Sequence, residues 1–137
     1  MSQINNGLKA FKTGAGISTP LPAYTRVKQV AAADANGFTG TVLLAQQMDT
    51  EVGVTESAVQ QAGNHVTVRM TNFPGTRKIF CASICSIQSL LYAAVNGQVD
   101  TNAGGGVGTA GGAIGPLWGI AMEACATAGG VVEALPV

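Results

Sequence analysis

Polar and apolar residues alternate most regularly in the segment HVTVRM at 65–70. A period of two is typical of a β-strand with one buried face. The pattern places Val66, Val68 and Met70 inward and leaves His65 on the solvent side. The segment 65–70 is therefore the clearest strand that the sequence predicts.

Other short runs rich in β-branched, aromatic or apolar residues also predict strands, and Gly, Asn, Asp or Pro separate them. These predicted strands are 24–30, 39–45, 76–82, 90–95, 98–101, 117–123 and 130–135. Asn96-Gly97 is a strong two-residue turn signal, and Pro74-Gly75 predicts a hairpin between 65–70 and 76–82.

Helical signals are weak along the whole sequence. The Ala-rich segments 56–62 and 121–128 each favour one or two short helical turns, too short to be stable without packing. Closely spaced strands with few helices indicate an all-β, mainly antiparallel fold. We expect a compact β-sandwich or barrel.

The first 22 residues show no periodicity and end in Pro20-Leu21-Pro22. Prolines remove backbone donors and push the preceding residue toward extended geometry. We interpret 1–22 as an extended N-terminal arm and 23–137 as a single β domain. Apolar side chains in the arm that are candidate anchors to a partner are Ile4, Leu8 and Phe11.

An internal repeat indicates that the β domain contains two related β units. Residues 53–66 align without gaps on 119–132, at an offset of 66 positions. Both segments combine a strand, a short Ala-rich connection, a Gly turn and a second strand.

The composition favours a protein whose surface is covered by partners. Charged residues are only 10% of the chain, where about 25% is usual, and the formal net charge is zero. The sequence contains no basic patch that would indicate direct binding to nucleic acid, because the only cluster of basic residues is Arg77-Lys78. No segment has the length and apolarity of a signal peptide or a membrane span, so we expect folding in a cytoplasm.

Residue types that carry catalysis or bind metals are sparse. Cys81 and Cys85, completed by Cys125 and His65, are a conceivable metal set, but apolar neighbours favour cysteines that pack in the core. His65 is a surface residue by its alternation, and no second group that would activate a nucleophile is recognisable. We therefore expect no enzyme, no cofactor and no metal.

The stretch GGGVGTAGG at 104–112 contains a literal G-x-G-x-x-G. A dinucleotide fingerprint follows a strand and opens a helix, whereas Pro116 and further glycines follow this one. We interpret the stretch as a loop whose backbone can lie against a neighbouring subunit.

Four segments together resemble the phage capsid cement, or head decoration, proteins, and more distantly the lambda-type decoration proteins. They are VGVTESAVQQAGNHVTVRM (52–70), GTRKIF (75–80), SLLYAAVNGQVDT (89–101) and WGIAMEACATAGGVVEALP (118–136). The chain departs from the usual pattern at 82–88, which lacks glycine, and at 102–115, which is longer and richer in glycine.

The resemblance implies a virion structural protein on the outer surface of an icosahedral capsid. Such a protein clamps neighbouring subunits of the major capsid protein against the pressure of packaged DNA. It implies a homotrimer at three-fold or quasi-three-fold positions, with no membrane partner. The candidate interface residues are the anchors of the arm, together with three further residues: Ile4, Leu8, Phe11, Pro20, Pro22 and Trp118.

Three alternatives stay open from the sequence. Trp118 is either core filling or an interface anchor. A β-sandwich that binds carbohydrate or a receptor is a different functional class, although only 5% of the residues are aromatic and available for stacking on sugars. A tail-tube or fibre subunit of a virion is the structural alternative.

Overall fold

The structure is a computed structural model, and it describes residues 7–13, 21–30, 41–59, 64–101 and 115–137. Within these residues the regular structure is ten β-strands and one single-turn 3-10 helix, which confirms the all-β prediction. The chain forms two compact units, one from 1–44 and 50–74 and the other from 45–49 and 75–137.

The first unit is a closed five-stranded barrel in the order β1-β3-β2-β4-β5. Its strands are β1 (Leu8–Thr13), β2 (Arg26–Gln29), β3 (Thr41–Leu44), β4 (Gly53–Thr55) and β5 (His65–Met70). All pairs are antiparallel except β1 with β3. Val66 and Val68 enter its core and Met70 packs against it, as the alternation predicts.

The second unit is a closed barrel with the same connectivity, in the order β6-β8-β7-β9-β10. Its strands are β6 (Arg77–Cys81), β7 (Leu90–Ala93), β8 (Val99–Asp100), β9 (Leu117–Ala121) and β10 (Gly130–Pro136). The pair β6 and β8 is parallel, like β1 and β3 in the first barrel. Mostly small buried side chains, such as Val, Ala and Cys, fill the narrow interior of a five-stranded barrel.

The two barrels also share their strand register. Thr55 pairs with Val68 in the first barrel, and Ala121 pairs with Ala134, 66 positions further along each strand, in the second. The internal repeat at 53–66 and 119–132 therefore corresponds to β4–β5 and β9–β10.

A left-handed backbone residue recurs at equivalent positions before β2 and β7. Tyr24 has φ 61° and donates its N–H to Thr55 O at 2.8 Å, while Gln88 has φ 68° and donates to Ala121 O at 2.8 Å. Two non-glycine residues in this unfavourable region at the same place indicate that the whole barrel, including its connections, is repeated.

The expected N-terminal arm contains a barrel strand. Leu8–Thr13 is β1, which pairs along its length with β5 and at Lys12 and Thr13 with β3. The first barrel closes only through this strand, so its edge groups are satisfied by β1 rather than by a partner protein.

Two further local expectations differ from the structure. The strand after Pro74-Gly75 does not form a hairpin with β5, because β6 begins the second barrel and pairs with β8 and β10. Among the described residues the one helical turn is Val95–Gly97, at the predicted Asn96-Gly97 turn. Of the Ala-rich segments, 121–128 contains the end of β9 and a β-bridge at Cys125, and 56–59 is likewise not helical.

Candidate interaction surface

An exposed line of apolar side chains crosses three neighbouring strands of the second barrel. Leu90 of β7 pairs with Ile120 of β9, which pairs with Leu135 of β10. Directly opposed residues of antiparallel strands project to the same face. We call Leu90, Ile120 and Leu135 the apolar row.

Strand alternation sets the outward direction of the apolar row. The neighbours Leu91, Ala121 and Ala134 have no exposed surface and therefore occupy the inward positions. Leu90 keeps 47% of its surface exposed and Leu135 keeps 38%. A contiguous exposed apolar patch on a sheet face is typical of a protein–protein contact.

The apolar character extends beyond the row itself. Leu117 is 45% exposed and lies opposite Tyr92, and Met122 is 49% exposed directly after β9. Ile87 is 63% exposed and lies three residues before the start of β7. Apolar side chains therefore predominate around the row, while Glu133 is an outward acidic residue of β10.

The equivalent line in the first barrel has a different chemistry. There Arg26 pairs with Val54, which pairs with Arg69. Arg26 Nη1 lies 3.4 Å from Glu51 Oε2, and Arg69 Nε lies 2.6 Å from Glu56 Oε1. Because Arg26 is 1% exposed and Val54 is 2% exposed, the two repeats have diverged at this face.

The structure places two of the six predicted interface residues away from a free surface. Phe11 is 3% exposed in the core of the first barrel, and Trp118 is 6% exposed in β9. Burial within the chain accounts for both aromatic side chains and agrees with the core-filling alternative for Trp118, while a contact of either residue with a partner stays a prediction.

The remaining interface candidates have mixed placements. Leu8 is half-buried in β1, and Pro22 is exposed while its carbonyl accepts hydrogen bonds from the hydroxyls of Thr25 and Thr55. Ile4, Pro20 and the glycine stretch at 104–112 lie outside the described residues. The sequence alone does not predict the apolar row. Which residues of an apolar run such as LLYA are exposed depends on the strands that pair with that run in the fold.

The three cysteines all belong to the second barrel, and His65 belongs to β5 of the first. Cys85 and Cys125 pair at an isolated antiparallel bridge and line a groove of about 240 Å³. Burial raises the pKa of the Cys81 thiol from 9.0 to about 12. Within the described part of the chain, no group of three or more His, Cys, Asp or Glu side chains is arranged to hold a metal ion.

None of the helical structure in the described residues is long and apolar enough to cross a membrane.

Comparison with solved structures shows a likeness of fold. No protein-family model matches the chain, and no curated protein matches it significantly. Among solved structures, the chain is similar to the head fiber gp8.5 N base of bacteriophage phi29, with a TM-score of 0.66 and 15% sequence identity. The match covers 95% of this chain and 94% of that one, so the two share their fold over nearly their whole length.

Proposed function

We propose that this chain is a structural protein of a bacteriophage head. The observation that carries the proposal is the fold shared with the phi29 head fiber base over 95% of the chain. The sequence motifs point independently to phage heads, because they resemble those of capsid cement proteins. The proposed role is structural and not enzymatic.

The finer proposal is that the protein binds the outer surface of the assembled shell as a cement protein. Its partners are the major capsid protein and further copies of itself, as a homotrimer at three-fold positions. A chain with only 10% charged residues and an exposed apolar row favours a role in which partners cover much of the surface.

We assign the contact with the major capsid protein to the apolar row. Leu90 and Leu135 are large, exposed and held on a rigid sheet, so their burial on binding costs little conformational ordering. Because more than half of each side chain is already buried, covering the rest contributes about 1 kcal/mol per residue. A trimer that binds several shell subunits multiplies this modest contribution through multivalency.

The test is co-sedimentation of the purified chain with DNA-free expanded shells of the phage that encodes it. The wild-type chain should sediment with the shells, and Leu90→Glu should bind at least about tenfold more weakly, because a charge enters a desolvated contact. Met48→Glu is the matched control, since Met48 is 75% exposed and lies outside the apolar row.

Three outcomes would contradict parts of the proposal. Absence of wild-type binding contradicts attachment to the shell. Equal binding by both variants contradicts the role of the apolar row. A Leu90→Glu chain that keeps its shell affinity but changes its oligomeric mass assigns the row to contact between copies instead.

A second candidate is the base of a head fibre, which the named structural neighbour favours. The base of a fibre carries a projecting fibre, whereas a cement protein ends at the shell surface. Electron microscopy of heads that contain the chain therefore distinguishes the two candidates.

A further inference from the structure

Cys85 and Cys125 face each other across an isolated antiparallel bridge in the second barrel. The N–H of Cys85 donates to Cys125 O at 3.0 Å, and the N–H of Cys125 donates to Cys85 O at 2.9 Å. Such a reciprocal pair holds its Cα atoms about 5.5 Å apart with both side chains on one face. This Cα separation falls within the range that a disulfide spans, and the Cβ atoms, about 5.5 Å apart in a hydrogen-bonded pair, must approach by about 1 Å when the bond forms.

The first barrel shows what the fold itself requires at this bridge. Its equivalent pair is Leu21 and Val59, with reciprocal backbone hydrogen bonds of 2.7 and 2.8 Å. Two aliphatic side chains satisfy the packing there, and both are buried. A pair of thiols in the second barrel is therefore not a requirement of the architecture.

The two thiols are also within reach of a small molecule. Cys85 is 9% exposed and Cys125 is 6% exposed, and both line the groove of about 240 Å³ with Ser86, Ser89 and Thr101. The Cys125 thiol donates to Thr127 O at 2.9 Å, and the Cys85 thiol lies 3.9 Å from Glu123 O. Both thiols are thus held by backbone carbonyls at the wall of one groove.

The third cysteine, Cys81, lies close enough to Cys85 for the two thiols to interact, and it differs from the pair in its access to the groove. Cys81 has no exposed surface and does not line the groove, so a reagent bound there does not reach it. Burial is the main cause that raises the pKa of Cys81 to about 12.

We propose that Cys85 and Cys125 form an oxidation site, at which a small-molecule disulfide such as oxidised glutathione converts the pair into an intramolecular disulfide. One cysteine loses its proton, and its thiolate attacks the reagent and releases one glutathione thiolate. The second cysteine loses its proton, attacks the mixed disulfide and releases the other glutathione. The protein gives up two electrons and two protons, and the reagent is reduced to two thiols.

The new bond would close a loop of 41 residues, from position 85 to position 125, that contains β7, β8 and β9. Cross-linking restricts the unfolded chain more than the folded one. From the loop length we expect the oxidised chain to melt about 10 °C higher than the reduced chain.

The test uses the full chain, equilibrated with excess oxidised glutathione and quenched with acid. Thiol titration in denaturant should show the loss of two of the three thiols, and peptide mass mapping should find 85 linked to 125. Dithiothreitol should restore the thiols and the lower melting temperature. Cys81→Ala should give the same link between 85 and 125 and the same rise in melting temperature on oxidation as the wild type.

The matched control is the double variant Cys85→Leu/Cys125→Val, which carries the pair of the first barrel and should show no oxidation-dependent melting. Three results overturn the proposal: three intact thiols in the oxidised wild type, a linkage that includes Cys81, or glutathione adducts and intermolecular dimers without the 85–125 link. The wild-type arm decides even if the double variant does not fold. This inference is independent of the proposed function.

Discussion

Replacing Gly119 by alanine tests why glycine recurs at equivalent positions of the two barrels. A Cβ at Gly119 would lie 2.5 Å from Leu135 O and 3.1 Å from its carbonyl carbon, both backbone atoms of the paired strand β10. At the equivalent Gly53, a Cβ would overlap Arg69 O and lie 2.7 Å from Val68 Cγ1. The paired strands leave no space for a side chain at either position.

The cost follows from how far the strands would have to separate. An ordinary contact begins near 3.4 Å, so β9 and β10 must part by about 0.9 Å at Gly119. Because backbone cannot rotate away, we take the upper part of the overpacking range, about 3 kcal/mol. The smaller entropy of an unfolded chain with alanine returns roughly 0.4–1 kcal/mol. The net loss in the free energy of unfolding is therefore about 2 kcal/mol.

Urea unfolding of Gly119→Ala and Gly53→Ala measures this loss, and each variant should also melt roughly 8 °C lower. Gly129→Ala is the control, because its Cβ meets nothing within 4 Å and only its φ of 79° opposes the change. That variant should lose only about 1 kcal/mol. A Gly119→Ala chain as stable as Gly129→Ala would refute the close-approach argument.

Two further predictions concern buried charge and a buried thiol. Glu51→Gln should lower the free energy of unfolding by about 2 kcal/mol, because it weakens the contact to Arg26, which is 1% exposed. Glu56→Gln, at the more exposed pair with Arg69, should lower it by less than about 1 kcal/mol. Urea unfolding measures both losses, and equal losses would contradict the role of burial. The raised pKa of Cys81, about 12 against 9.0, means that the unfolded chain loses this proton first, so stability is full below pH 9 and falls as pH rises toward 12. Urea unfolding between pH 7 and 10.5 should show a decline that Cys81→Ala lacks, and an identical decline in that variant would assign it to other groups.

Local patterns along the sequence were sufficient for the all-β class and for several strands. Alternation at 65–70 identifies β5 and its inward residues, and Asn96-Gly97 marks the turn between β7 and β8. These features depend only on neighbouring residues, because side-chain period and turn chemistry are local.

Long-range pairing was not predictable in the same way. β1 pairs with β5 more than fifty positions later, and nothing in LKAFKT itself distinguishes a barrel strand from an extended arm. Pro74-Gly75 has the chemistry of a hairpin turn, yet it separates the two barrels. Barrel closure decides both cases, and it depends on strands far apart in the sequence.

The candidate surface depended on the same long-range information. The internal repeat was visible at 53–66 and 119–132, but the row of Leu90, Ile120 and Leu135 exists only through the pairing of three strands. The sequence predicts Phe11 as an apolar anchor of an arm and leaves Trp118 between the core and an interface, whereas the structure buries both side chains within the chain.

The proposed function requires that a phage encodes this chain, and quantitative mass spectrometry of the purified heads of that phage tests it. We expect the chain in tail-free, DNA-filled heads, in a fixed ratio to the major capsid protein and accessible to surface labelling of intact particles. A ratio that matches every three-fold position supports the cement role. Absence of the chain from purified heads, or its recovery only with tails, would contradict the proposed function.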